Sequence, residues 1–133
     1  MKTILSMALC LILSPALAPA RTFEADDMNV IKRAAERNDC GGEDFRILLA
    51  IRRAENGPPG REWGIMAPAA NTFELQAAWA AVTIIKNRKR WSGEGDFVTF
   101  LRSRYAPMGA KNDPENLNRN WIRNVKYWLT KIN

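Results

Sequence analysis

The chain has no histidine, two cysteines and two tyrosines among its 133 residues, and the missing imidazole removes the most chemistry. Without it there is no Ser-His-Asp triad, no Cys-His pair and no HExxH zinc site. Hydrolysis would have to rest on carboxylates, a lysine or a metal held by oxygen ligands. Internal repeats and low-complexity stretches are also missing. No apolar run approaches the roughly 20 residues that a membrane-spanning helix needs. What is there, 47% hydrophobic and 26% charged residues, is the make-up of a globular domain, and the length suits one domain with one core.

The first residues follow a different pattern from the rest. Met1-Lys2 is followed by a mostly apolar stretch from Ile4 to Leu13, then by Ser14-Pro15-Ala16-Leu17-Ala18-Pro19-Ala20. A basic start, a short apolar middle and a small-residue exit are the pattern of a secretory signal peptide. Ala18-Pro19-Ala20 offers the A-x-A site, which predicts cleavage before Arg21; a cut after Ala18 would leave Pro19 awkwardly beside it. A buried N-terminal helix is the competing reading. Residues 1–20 are thus expected to be a signal peptide and residues 21–133 the working domain, secreted to the periplasm or beyond. Removal of the leader takes Cys10 with it and leaves Cys40 alone, so no internal disulfide is possible and the thiol is expected to be buried and inert.

Helical periodicity governs the remainder. Asp27 is placed to cap a helix from about Met28 to Asn38, which Cys40-Gly41-Gly42 ends. A second runs from about Glu43 to Glu55, with Phe45, Leu48, Leu49 and Ile51 apolar and Arg46, Arg52 and Arg53 outside. Asn56-Gly57-Pro58-Pro59-Gly60 stops it. After a loop to Ala70, Asn71 or Thr72 caps a long helix to about Trp91, with Glu74 at a capping-box position. Its inward face is expected to be Leu75, Ala78, Trp79, Val82 and Ile85. Asp96 caps a fourth helix through Tyr105. The last, Glu115 to about Lys131, would turn Leu117, Trp121, Val125, Trp128 and Leu129 inward. The expected class is all-α, five helices, one domain.

One residue sits against its electrostatic surroundings. Glu55 ends an amphipathic helix, where the helix dipole favours cations and disfavours a carboxylate. That field and partial burial both raise its pKa, whereas Arg52 and Arg53 nearby would lower it. A carboxylic acid still protonated near neutral pH is what glycosidic cleavage uses as a general acid. A solvated helix-end glutamate is the plainer alternative.

The residues around it carry a resemblance. Ala54-Glu55-Asn56-Gly57, then Gly60-Arg61-Glu62-Trp63-Gly64-Ile65-Met66, resembles the active-site region of lysozyme-like peptidoglycan hydrolases, in particular the phage and bacterial group related to lytic transglycosylases. In that superfamily the catalytic glutamate ends a helix and a Gly-Leu-Met-type segment follows, to which Gly64-Ile65-Met66 is similar. Arg104-Tyr105-Ala106-Pro107-Met108-Gly109-Ala110, Asn112-Asp113-Pro114 and Leu117-Asn118-Arg119-Asn120-Trp121 are similar as well. The likeness runs from about Asp44 to Leu129. Asn56 stands where lytic transglycosylases usually carry serine, and Ala67-Pro68 where glutamine usually follows, which leaves the product, anhydro or hydrated, open.

The resemblance implies a lysozyme-like fold and cleavage of the β-1,4 bond between N-acetylmuramic acid and N-acetylglucosamine, with Glu55 protonating the bridging oxygen. Glu62 is the candidate second carboxylate and Asp113 the reserve; a salt bridge to Arg61 or a neighbouring arginine is the structural alternative for Glu62. Asn56, Arg61, Trp63 and Tyr105 would line the cleft, by stacking on sugar faces and gripping acetamido groups, although Tyr105 also has the spacing of a core residue. Trp79, Trp91, Trp121 and Trp128 are expected in the core. The enzyme would act on peptidoglycan glycan strands as a monomer, with no cofactor, no metal and no stable membrane insertion.

The net charge of +6 also raises nucleic acid as a partner. Its densest cluster, Lys86-Asn87-Arg88-Lys89-Arg90, ends a helix where cations are favoured anyway. An export signal argues against nucleic acid, and the anionic cell wall accounts for the charge equally well. The remaining competitor is a non-catalytic lysozyme-like module that binds the wall or serves as a structural component. The two part at Glu55: pointing into a pocket beside Tyr105 and Glu62, it favours an enzyme; pointing into solvent with no groove, a module.

Overall fold

The structure, a computed structural model, describes residue 23 and residues 26–132. The proposed signal peptide and its cleavage site lie outside the described residues. The chain is all-α, with five α-helices and no strand among the described residues.

Helix α1, Met28–Arg37, starts where Asp27 accepts the backbone N–H groups of Asn29 and Val30 at 3.0 and 3.3 Å. A side-chain acceptor there satisfies donors that the first turn would leave without partners. Helix α2, Glu43–Glu55, ends on Asn56, whose left-handed φ of 43° turns the chain away. Helix α3, Phe73–Arg90, is capped by Thr72 through Leu75 N–H, and α4, Phe97–Tyr105, by Asp96 through Thr99 N–H. With Thr72 as the cap, Glu74 falls one residue short of the capping-box position and instead faces Arg37 at 3.5 Å.

The last helix is shorter than its periodicity predicts. Asn116 is left-handed at φ 55°, and the Asp113 carboxylate takes the N–H groups of Leu117 and Asn118, both at 2.8 Å. A 3-10 segment, Leu117–Asn120, follows, and α5 runs over Trp121–Leu129 only. The expected inward stripe therefore loses Leu117, which is 58% exposed.

Helix α2 lies at the centre and packs against both α5 and α3, while α1 covers α3. Its Ile47, Leu48, Ala50 and Ile51 are fully buried, and Ile31, Ala34, Ala77, Ala80 and Ile84 continue the core. The long helix presents a different face from the expected one. Gln76, Ala77, Ala80, Ala81, Ile84 and Asn87 turn inward, because small residues let α1 and α3 approach closely, and the larger Leu75 and Trp79 are left outside. Trp79, expected in the core, is 42% exposed.

Arg52, expected outside, is another correction: it is 1% exposed. Its guanidinium pairs with Asp26 at 3.0 Å and lies over the Phe23 and Trp63 rings, so a partner from before α1 makes its burial tolerable. Cys40 is a free, buried thiol whose pKa is raised to about 12 by burial first and by the charge of Asp44 second, in keeping with an inert thiol.

Candidate active site

Glu55 leaves the last turn of α2 half-buried, and what surrounds it comes from three distant parts of the chain. The indole of Trp121, the first residue of α5, donates to Glu55 Oε1 at 2.9 Å. Gly64 faces Oε2 so closely that a Cβ there would overlap the carboxylate, and its φ of +71° is one that glycine alone adopts without strain. Tyr105, the last residue of α4, stacks on Trp121 with ring centroids 5.4 Å apart. Its hydroxyl donates to Trp63 carbonyl oxygen at 2.7 Å.

This packing sets the protonation of Glu55. Burial pushes its pKa up to about 7, against the opposing pull of the Trp121 hydrogen bond. Arg52 and Arg53 do not pull it down. The first is paired with Asp26, and the second lies over the Phe23 and Trp128 rings, so neither is an ion-pair partner of Glu55. The Tyr105 phenol is raised well above its ordinary value, by burial first and by the nearby Glu55 charge second.

Two hollows lie at this cluster, one lined by Glu55 and one by its neighbours Gly64 and Tyr105. One, of about 290 Å³, is lined by Glu55 itself with Ala54, Leu117, Asn118, Asn120, Trp121 and Asn124. The other, of about 220 Å³, is lined by Gly64, Ile65, Met66, Thr83, Arg104, Tyr105 and Asn112. Gly64 and Tyr105 thus touch the Glu55 environment on one side and open space on the other. With Oε1 occupied by the Trp121 N–H, a proton on the neutral acid belongs on Oε2, the oxygen that faces Gly64.

The loop that brings Gly64 to Glu55 is held from within. Gln76, buried on α3, accepts the N–H groups of Trp63 and Ile65 at 3.2 and 3.3 Å and donates to the carbonyls of Ile65 and Ala70. Arg61 Nη1 lies within hydrogen-bond reach of four carbonyls, those of Gly60, Ile65, Ala67 and Ala70. Gly57 N–H meets Glu62 carbonyl oxygen at 3.4 Å, and a Cβ on Gly57 would collide with the Arg61 carbonyl, so the two arms of the loop lie against each other.

Of the residues expected at the site, only Glu55 and Tyr105 line these two hollows. Trp63 is fully buried, its indole N–H donating to the Leu48 carbonyl at 2.9 Å and its ring tilted on Phe73, so it is a core residue with no free face. Glu62 is 1% exposed and accepts Gly60 N–H at 3.0 Å inside its own loop, away from both hollows. Arg61 stitches the loop, Asn56 is exposed at the helix end, and Asp113 is engaged as a cap. The salt bridge considered for Glu62 is also missing among the described residues, where its partner is a backbone N–H.

Trp121 is in the core as expected, 5% exposed, and it also serves the site, which its core spacing does not reveal. Its signal was the indole N–H, which needs an acceptor when buried. Gln76 was missed as well, although a glutamine among alanines on a long helix stands out by its polarity. No group of three or more His, Cys, Asp or Glu side chains among the described residues is placed to hold a metal ion. No helix among them is long and apolar enough to cross a membrane. Comparison with protein families, with curated proteins and with solved structures found no match to this chain.

Proposed function

We propose that the protein cleaves the β-1,4 glycosidic bond between N-acetylmuramic acid and N-acetylglucosamine in peptidoglycan, with Glu55 as the general acid. The observation that carries this reading is the Glu55 carboxyl, raised to about 7 by burial and lining one hollow, while its neighbours Gly64 and Tyr105 line a second. A neutral acid donating from Oε2 to a bridging oxygen is the first step of glycosidic cleavage. The substrate class draws on the resemblance around Glu55 and Gly64, on the basic charge and on the signal-like N-terminus.

The lining of the hollows bears on the route. Glu55 is their only carboxylate among the described residues, since Glu62 and Asp113 are both engaged elsewhere. A two-carboxylate mechanism needs its second group about 5–9.5 Å from the first, on the other side of the sugar. A single carboxylate supports the alternative, in which a hydroxyl of the substrate itself attacks the oxocarbenium-like centre. Glu55, having given its proton to the leaving oxygen, then takes the proton of that hydroxyl, and the product ends in an anhydro sugar.

The test is turbidity clearing of purified peptidoglycan by the protein and by Glu55→Gln, with mass analysis of the released fragments. Clearing by the unmodified protein alone, with anhydro ends, supports both the acid and the route. Hydrated ends would replace substrate attack by attack of water. Equal behaviour of the two proteins, with wall binding retained, would leave a non-catalytic wall-binding module as the function.

A further inference from the structure

Four of the five tryptophans have their rings engaged by other rings: Trp63 by Phe73, Trp91 by Phe97, Trp121 by Tyr105 and Trp128 by Phe23. Trp79 has no ring or cation against it among the described residues, and it stands 42% exposed on α3. It does not stand on a bare helix. With Leu75, Ala78, Val82, Thr83 and Lys86 it lines a hollow of about 480 Å³, larger than either of those beside Glu55.

That hollow adjoins the candidate site through one shared residue. Thr83 lines it and also lines the hollow bordered by Gly64 and Tyr105. Trp79 lies one helical turn before Thr83, about 6 Å along α3, a step comparable with one sugar ring. Lys86 lies about a turn beyond Thr83 on the same face. Arg104 in the nearer hollow and Lys86 in the farther one form no ion pair among the described residues. An apolar ring face, small side chains and two available cations fit an amphipathic, anionic polymer, because pyranose rings have an apolar face and muramic acid without its stem peptide carries a free lactyl carboxylate.

We propose that the Trp79 hollow is a distal subsite for a peptide-free peptidoglycan glycan strand whose cleaved bond lies at Glu55, with a sugar stacked on Trp79 and Lys86 facing the free lactyl carboxylate of a muramic acid. This rests on the glycan-cleaving reading of Glu55. It adds a requirement for chain length: strands of a few sugars fill the hollows beside Glu55, and only longer ones reach Trp79.

The experiment titrates the full chain carrying Glu55→Gln, so that no strand is cut, with peptide-free glycan strands of three and of eight sugars by calorimetry. The long strand should bind more tightly. Adding Trp79→Ala should lower the affinity for the long strand about tenfold and leave the short one unchanged, with Trp79→Phe restoring most of the loss. Lys86→Ala should weaken the long muramic-acid-containing strand and leave an N-acetylglucosamine oligomer of equal length unaffected. Equal affinities for the two lengths, or a Trp79→Ala effect of the same size on both, would overturn the subsite while leaving the Glu55 reading intact. Sedimentation that shows a dimer dissolved by Trp79→Ala, with strand binding unchanged, would assign the face to self-association instead. Failure of strands of either length to bind would remove the glycan reading of Glu55, and the subsite with it.

Discussion

Trp121 and Glu55 are 66 positions apart in sequence and joined by one 2.9 Å hydrogen bond, from the indole N–H to Oε1. The bond fixes which carboxyl oxygen is free and opposes part of the effect of burial on the acid. Trp121→Phe keeps an aromatic ring for Tyr105 to stack on and removes the donor. Because the bond lowers the Glu55 pKa, its loss should raise that pKa further. A general acid works protonated, so the high-pH limb of the activity profile should move upward, while the plateau falls as the carboxyl loses its fixed orientation. A pH-rate profile of the variant checks this; an unmoved limb would count against Glu55 as the titrating group.

Burial of Glu55 also has a cost in stability, with a definite pH window. Below its ordinary value of 4.5 the carboxyl is protonated in the folded and unfolded chain alike. Between there and about 7 only the unfolded chain releases the proton, so stability falls as pH rises, and above 7 the penalty is complete. Glu55→Gln should therefore stabilise the protein at pH 8, by up to about 3 kcal/mol, and change little at pH 4. Urea denaturation at the two pH values measures the difference.

Gly64→Ala places a Cβ on the Glu55 carboxylate and forces a side chain onto a φ of +71°. The backbone strain alone is worth about 1–2 kcal/mol. The melting temperature should fall by several degrees and activity should fall much further, because the displaced atoms are those of the acid. A variant that melts lower but keeps its rate would show that Oε2 is not the donating oxygen.

Gln76→Leu preserves the approximate volume of the side chain and removes every bond it makes to the loop at residues 63–70. The groups it leaves are partly or fully buried, so the expected loss is about 3 kcal/mol, read from the denaturant midpoint. Activity should fall in parallel, since Gly64 lies inside the segment that Gln76 holds.

The helix starts were legible because capping is local chemistry. Asp27, Thr72 and Asp96 declare themselves by residue type and position, and each accepts the expected backbone N–H. The end of α2 at Glu55 was legible for the same reason, since Asn56 and the Gly-Pro run that follows cannot continue a helix. Which face of α3 turns inward was not. Hydropathy favours Leu75 and Trp79, yet the fold buries Ala77, Ala80 and Ala81, because the distance between α1 and α3 decides how large a side chain fits. Arg52 reads as a surface cation until Asp26 is known to cross to it, and that crossing is a tertiary event. The same limit applies at the site. Glu55 could be singled out from its place on a helix, but its hydrogen-bond donor arrives from α5, and the spacing from Glu55 to Glu62 does not reveal that Glu62 folds back into its own loop.

The loop opposite Glu55 is held by a guanidinium and a carboxamide, Arg61 and Gln76, whose hydrogen bonds run to its backbone. None of these bonds runs to the Glu55 carboxyl, so a change in its protonation leaves in place the contacts by which Arg61 and Gln76 hold the loop. Loss of activity on the alkaline side should then be reversible for as long as the helices hold, with full recovery on returning to lower pH and no refolding step between.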